Sequence, residues 1–357
     1  MLSATIFSEY SDKTKHYDMK RLFIFACLVI ASIVAVSCSS CDRQKALLPN
    51  ISGQAGEVIV VVDKGDWEGA VGTTLRDTLG QDCRFLPQRE PLYTLVNIIP
   101  SSFTNMFQIH RNIIIVNVKS DVTEPGMLYK NDVWAAPQCV IRLNAPTEET
   151  AVELYKENSM KIKAVIEQAE RARVIANTKR YEERSLAEVV TKMIGGSPHF
   201  PSGYKLKKQT EDFIWISYDI QYVTQGILIY KYPVVEGENM MSLDNILAKN
   251  SEMLKNNVPG MFEGTYMMTS EFARPSIEYM KFRGRDFAEL RGFWEVYNDY
   301  MGGPFVAQTF YSKDGKYMIF MEGFVYAPKY DKRTYLRQVE SILYSFEWAK
   351  DEKKEDK

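Results

Sequence analysis

The stretch from Met19 to Cys38 sets where folding of this chain can begin. Lys20 and Arg21 precede a run from Leu22 to Val36 that holds no charge, and the small residues of Ala35-Val36-Ser37 lead into Cys38. A positive start, an apolar middle and a small-residue end are the parts of a secretory signal peptide. The run is too short for a permanent anchor, which needs about 20 apolar residues. Whatever folds into a body must therefore come from the residues after it.

With cysteine directly behind the small residue, the segment resembles a bacterial lipoprotein signal. That resemblance implies cleavage before Cys38, lipid on the Cys38 sulfur and export across the inner membrane. Ordinary cleavage after Ala35-Val36-Ser37 is the alternative, and would leave Cys38 a plain N-terminal residue. Residues 1–18 carry Glu9, Asp12 and Asp18, which do not suit a signal's positive leading region, so translation is expected to start at Met19, with an unusually long leading region as the alternative. Only Asp42 is acidic near Cys38, with Arg43 and Lys45 beside it. An acidic run there would resemble a surface-export signal, so the expected location is the outer membrane on its periplasmic side.

The 357 residues leave about two domains' worth of chain after the signal. Their 45% hydrophobic and 25% charged content is that of a globular protein with ample core. A net charge of −2 provides no basic field for nucleic acid. Residues 38–56, with Pro49, Gly53 and Gly56, read as a flexible tether. Residues 350–357 read as a solvated charged tail.

The first half, 57–195, opens with the β-branched run Glu57 to Val62, followed by Val71, Leu75 and Leu79 at helical spacing. Strands are expected at Tyr93 to Ile99, Asn112 to Val118 and Gln138 to Leu143, with Pro100, Pro125, Gly126 and Pro137 in the loops between. A long helix from Pro146 and Thr147, unbroken or interrupted near Asn177 to Tyr181, then bridges to the second half, 196–349. There Phe213 to Ile220 and Ile227 to Tyr232 suggest antiparallel strands, and Leu243 to Asn256 a helix. Phe305 to Tyr311 and Tyr317 to Tyr326 flank Lys313-Asp314-Gly315, the strongest hairpin signal in the chain. The expected class is α+β: largely antiparallel sheets with packed helices, in two halves joined by a long helix.

Several stretches resemble the DUF4837 family. They are Gly65-Asp66-Trp67-Glu68-Gly69, Leu86-Pro87-Gln88, Trp134-Ala135-Ala136-Pro137-Gln138, Arg291-Gly292-Phe293-Trp294-Glu295, Met301-Gly302-Gly303-Pro304-Phe305 and Glu322-Gly323-Phe324-Val325-Tyr326-Ala327-Pro328. The resemblance spans nearly all of the mature chain. It implies a lipoprotein of a Gram-negative bacterium and brings no catalytic residues. The second half, opening on Pro201-Ser202-Gly203-Tyr204 and closing near Ser345-Phe346, is similar to PsbP- and Mog1-type sandwiches, which are mainly binding modules.

Motifs for chemistry are sparse. There is no GxSxG elbow, HExxH, Walker loop or dinucleotide fingerprint, and no cofactor or metal is expected. His110 and His199 have no ligand-spaced companions and are expected at the surface or an edge. Cys83 and Cys139 are a candidate disulfide in an oxidising compartment, with buried free thiols as the alternative. The glycine- and aromatic-rich region gives a candidate binding surface: Arg291, Trp294, Glu295, Phe305, Glu322 and Tyr326. Its expected partner is a protein or glycan, with the membrane held through the lipid. The alternative is an envelope hydrolase acting on glycan or peptidoglycan through paired carboxylates such as Glu295 and Glu322.

Overall fold

The computed structural model describes residues 48–350. The signal pattern and Cys38 lie outside the described residues.

The first half builds a five-stranded sheet in the order β2-β1-β3-β5-β4. Its strands are β1 (Glu57–Val61), β2 (Thr94–Ile98), β3 (Asn112–Val118), β4 (Gly126–Asn131) and β5 (Cys139–Ala145). Strand β4 falls where the Pro125-Gly126 signal suggested only loop. Three helices interleave, α1 (Lys64–Glu68), α2 (Ala70–Leu79) and the single turn α3 (Asn105–Gln108), before the long α4 (Glu148–Arg180). The β-branched strands are buried on the side that α2 and α4 cover. Val58, Val60, Ile114 and Ile141 meet Val71, Leu75, Leu79, Tyr155, Ile162 and Ile166 there. Helix α4 starts where expected, with the Thr147 hydroxyl accepting from the Thr150 amide and Glu148 and Glu149 in the first turn. It breaks at Tyr181, after which α5 (Arg184–Ile194) ends on Gly195 in the left-handed region.

The second half holds an eight-stranded antiparallel sheet. In chain order its elements are β6 (Gly196–Ser197), β7 (Lys205–Gln209), β8 (Phe213–Ile220), β9 (Val223–Pro233), α6 (Leu243–Asn257), β10 (Met267–Thr269), β11 (Ser276–Phe282), β12 (Arg285–Val296), β13 (Gly302–Tyr311), β14 (Tyr317–Tyr326), α7 (Arg333–Tyr344) and β15 (Glu347–Trp348). The sheet order is β10-β12-β13-β14-β9-β8-β7, with β11 adding to β12, and β15 pairs separately with β6. The Asp314-Gly315 turn joins β13 to β14 as expected, Gly315 taking φ +70°. Strand alternation then sends one set of side chains toward α7 and the other toward α6, and each forms its own apolar core.

The chain is α+β, with antiparallel pairing dominating the second half. The first sheet departs from that pattern: β1 pairs parallel with β2 and β3, β3 pairs parallel with β5, and only β4 runs antiparallel. Crossovers through α1 and α2, and through the 99–111 segment, return the chain to the same end of the sheet each time, which makes parallel pairing unavoidable. The expected tether also ends early. Pro49 accepts from the Ala136 amide, and Ser52 pairs with His110, so residues 49–52 are already docked on the body.

Candidate functional site

The six residues expected to form a binding surface do not do so. Register places Arg291 and Glu295 on the face toward α7, and Trp294, Phe305, Glu322 and Tyr326 on the face toward α6. Trp294, Phe305 and Glu322 are buried. Trp294 packs edge-on to Phe324 at 5.2 Å and donates from Nε1 to the Val325 carbonyl. The aromatic spacing that suggested a loop surface is instead the core beneath α6. Glu295 accepts from Ser270 Oγ at 2.7 Å. Since Glu295 and Glu322 stand on opposite faces of one sheet, they cannot flank a common bond.

Glu322 is isolated among apolar side chains. Its Oε2 accepts from Asn250 Nδ2 on α6 at 3.2 Å, while Oε1 has no partner. Burial pushes its pKa up to about 8, against a small opposing effect of Asn250. Asn250 in turn accepts from the buried Tyr230 hydroxyl at 2.9 Å.

Arg291 belongs to the seam between the halves. Glu340 on α7 receives Arg171 of α4 at 2.6 Å and Arg291 at 3.0 Å through one oxygen, and Arg291 also reaches Glu289 at 2.8 Å. Burial opposes the Glu340 charge, but the two guanidiniums outweigh it and hold its pKa down to about 2. Glu167 shifts the other way, raised by burial and by Glu340. Carboxylates pushed apart in this manner are what an acid and base pair needs. Glu340, however, is committed to two arginines, and the recess beside it holds only ≈ 50 Å³. That space takes a water or two rather than a sugar ring.

The histidines are placed differently from each other. His110 is buried rather than superficial, with Nδ1 3.1 Å from the Asn112 carbonyl and Nε2 3.5 Å from Glu57. Gly53, at φ +88°, lies against its ring where any Cβ would collide. His199 is partly buried between Glu182, at 2.5 Å from Nδ1, and Glu347. Cys83 and Cys139 are free thiols rather than a disulfide, both with pKa raised by burial, Cys139 to about 11. Among the described residues no group of three or more His, Cys, Asp or Glu side chains could hold a metal ion. Within the same residues, no helix is long and apolar enough to cross a membrane.

One group of exposed aromatics lies at the end of the second sheet, where α6 leads to β10 and β12 turns into β13. Met261 and Phe262 are 78% and 66% exposed, and Tyr300 is fully exposed. Tyr266 and Tyr297 stack at 5.0 Å, tied by the Tyr297 amide donating to the Tyr266 carbonyl at 2.8 Å. The turn closes through Asn298 at φ +58° and the Asp299 carboxylate accepting from the Tyr300 amide. The loop after α6 is held by Thr265, whose Oγ1 donates to the Phe262 carbonyl at 2.6 Å, and by Gly260 packing close to Val296. Lys255 sits 5.3 Å over the Tyr266 ring. The result is a patch of large, rigid apolar side chains on pinned loops, with a cation at its edge. Such side chains are typical anchors for a binding partner. Sequence reasoning missed them, but a signal was present: apolar residues set among turn formers in Pro259-Gly260-Met261-Phe262-Glu263-Gly264 and Tyr297-Asn298-Asp299-Tyr300.

Fold and surface thus define a two-part α+β protein with an aromatic edge on its second part. Residues 183–345 match the DUF4837 family, described as a domain of unknown function. Residues 51–179 match DUF8532, also a domain of unknown function. The DUF4837 resemblance therefore holds for the second half, while Gly65–Gly69, Leu86–Gln88 and Trp134–Gln138 fall in the DUF8532 region. No curated protein matches the chain. Among solved structures, a Bacteroides thetaiotaomicron protein is similar at 12% identity and a TM-score of 0.25, over 44% of this chain and 46% of its own. The chain thus spans less than half of that protein. The human StarD13 (DLC2) lipid transfer and protein localization domain is similar at 10% identity and a TM-score of 0.21, over 46% of this chain and 95% of its own. At these scores neither decides anything about fold or function.

Proposed function

We propose that this chain is a lipid-anchored protein of the cell envelope, held by Cys38 to the periplasmic side of the outer membrane, which binds a protein partner without catalysing a reaction. The aromatic edge carries the binding part of this reading. Met261, Phe262, Tyr297 and Tyr300 expose apolar area beside the half-buried Tyr266. The signal-like pattern ending in Cys38 supports the anchor.

The test has two arms. Cells fed labelled fatty acid should incorporate label into the wild type and not into Cys38→Ala. A photo-crosslinking phenylalanine placed at Tyr300 should yield a discrete protein adduct that Phe262→Ala weakens and that the same probe at Tyr181 does not form. Adducts that carry glycan in place of protein, or none above the Tyr181 background, would overturn the protein-partner reading.

A further inference from the structure

The first sheet leaves one face partly open. Opposite α2 and α4, register brings Val96 and Ile98 of β2, Ile59 and Val61 of β1, Ile113 and Ile115 of β3, Val140 and Arg142 of β5, and Leu128 and Lys130 of β4 onto the same side. Mostly parallel sheets are ordinarily covered by helices on both faces. Here the cover is a 3₁₀ turn at Pro100–Ser102, the single turn α3 and the loop around Trp134. Phe103 meets Trp134 edge-on at 5.5 Å, and the Arg142 guanidinium lies 5.8 Å from the Trp134 ring. Beyond that cap, Val96 and Leu128 are exposed, and Met106 is 68% exposed.

The path of the chain indicates what lies against this face. The Ala136 amide donates to the Pro49 carbonyl at 3.0 Å, and the Ser52 amide to the Ile109 carbonyl at 2.9 Å. Residues 49–52 therefore run beside Trp134 and along the end of the segment that carries Phe103 and Met106. Cys38 lies ten residues before Leu48, and ten residues span at most about 35 Å. A lipid on Cys38 would keep this side of the molecule next to the bilayer. Apolar side chains ringed by an aromatic and by long cations also suit the headgroup zone.

We propose that the open face of the first sheet rests on the bilayer that holds the Cys38 lipid, with Val96, Met106 and Leu128 entering the interface and Lys130 and Arg142 meeting lipid phosphates. This inference rests on the lipid-anchor reading above. Two attachments, one covalent and one by surface contact, fix the orientation of the body in a way that a tether alone does not.

The experiment uses the full chain purified from cells, its acylation checked by intact mass, in phosphatidylethanolamine–phosphatidylglycerol vesicles. Amide exchange of residues 99–107 should slow about tenfold relative to the same protein in detergent. A Met106→Glu, Leu128→Glu variant, altered only at exposed positions, should stay acylated and lose that slowing. An acylated wild type with no slowing on vesicles would overturn this inference and leave the anchor standing. Equal slowing at high protein concentration without vesicles would assign the face to a second copy and overturn it as well. Absence of any acyl group would overturn both readings.

Discussion

Arg171 of the long helix and Glu340 of the last helix lie 2.6 Å apart, joining the two halves through a pair that is nearly closed to solvent. Arg291 reaches the same Glu340 oxygen from the second sheet, so one carboxylate answers two cations from different parts of the fold. The first sheet has its own apolar core, while Ile175 of α4 and Leu186, Val190 and Ile194 of α5 join the core between the second sheet and α7. Between the first sheet's body and α7, charge and hydrogen bonds add to that packing.

Removing that carboxylate should therefore be costly. Glu340→Gln keeps the shape and strands two arginines, and should destabilise by roughly 3 kcal/mol or more, the usual cost of breaking a buried pair. Arg171→Leu should cost less, because Arg291 still neutralises Glu340. Denaturant unfolding of both variants checks the order. The wild type should also weaken in acid. Glu340 has a folded pKa depressed from 4.5 to about 2, so its stabilisation is complete above the unfolded value and is lost as pH falls through about 2.

Glu322 should give the opposite pH dependence. Its folded pKa is raised from 4.5 to about 8, so the folded form holds a proton that the unfolded form releases. The Glu322 contribution is most favourable below pH 4.5, declines as pH rises and reaches its full penalty, roughly 4–5 kcal/mol, above about 8. Glu322→Gln cannot titrate and keeps an acceptor for Asn250. Its melting temperature should hold between pH 6 and 9 while that of the wild type falls, and equal decline in both would refute the assignment.

Glu90 reaches across the seam to cap α7. The Lys332 and Arg333 amides donate to its two oxygens at 2.7 and 2.9 Å, placing negative charge at the helix N-terminus. Glu90→Ala should cost about 1–2 kcal/mol, as loss of a side-chain cap does, and Glu90→Gln less. Exchange protection across the first turn of α7 would report the loss directly.

Gly323 lets α7 approach the sheet. A Cβ there would stand 2.8 Å from Val339 Cβ. Gly323→Ala should destabilise by about 1–3 kcal/mol through overpacking. Pairing it with Val339→Ala should recover part of that, a non-additivity that a double-mutant cycle measures.

Much of the fold was legible in the chain itself. Strands β3, β8 and β14 coincide with their apolar runs, the Asp314-Gly315 turn lies where its residues demand it, and α4 begins at Thr147. These features are local: alternation, turn chemistry and capping act over a few residues. The weaker strands β4 and β7 were missed, since Gly126–Asn131 and Lys205–Gln209 carry little apolar signal and are strands only because a neighbour supplies hydrogen bonds.

The sequence by itself determined two bodies of α+β character and a bridging helix. Tertiary structure alone decided which residues meet. Arg291 and Trp294 are three positions apart in the chain, yet the pleat sends one to a charged seam and the other to an apolar core. Met261 and Tyr300 come to the same edge because β10 pairs with the end of β12. Side-chain direction and long-range pairing depend on register, and register is set by the whole sheet rather than by any one of its strands.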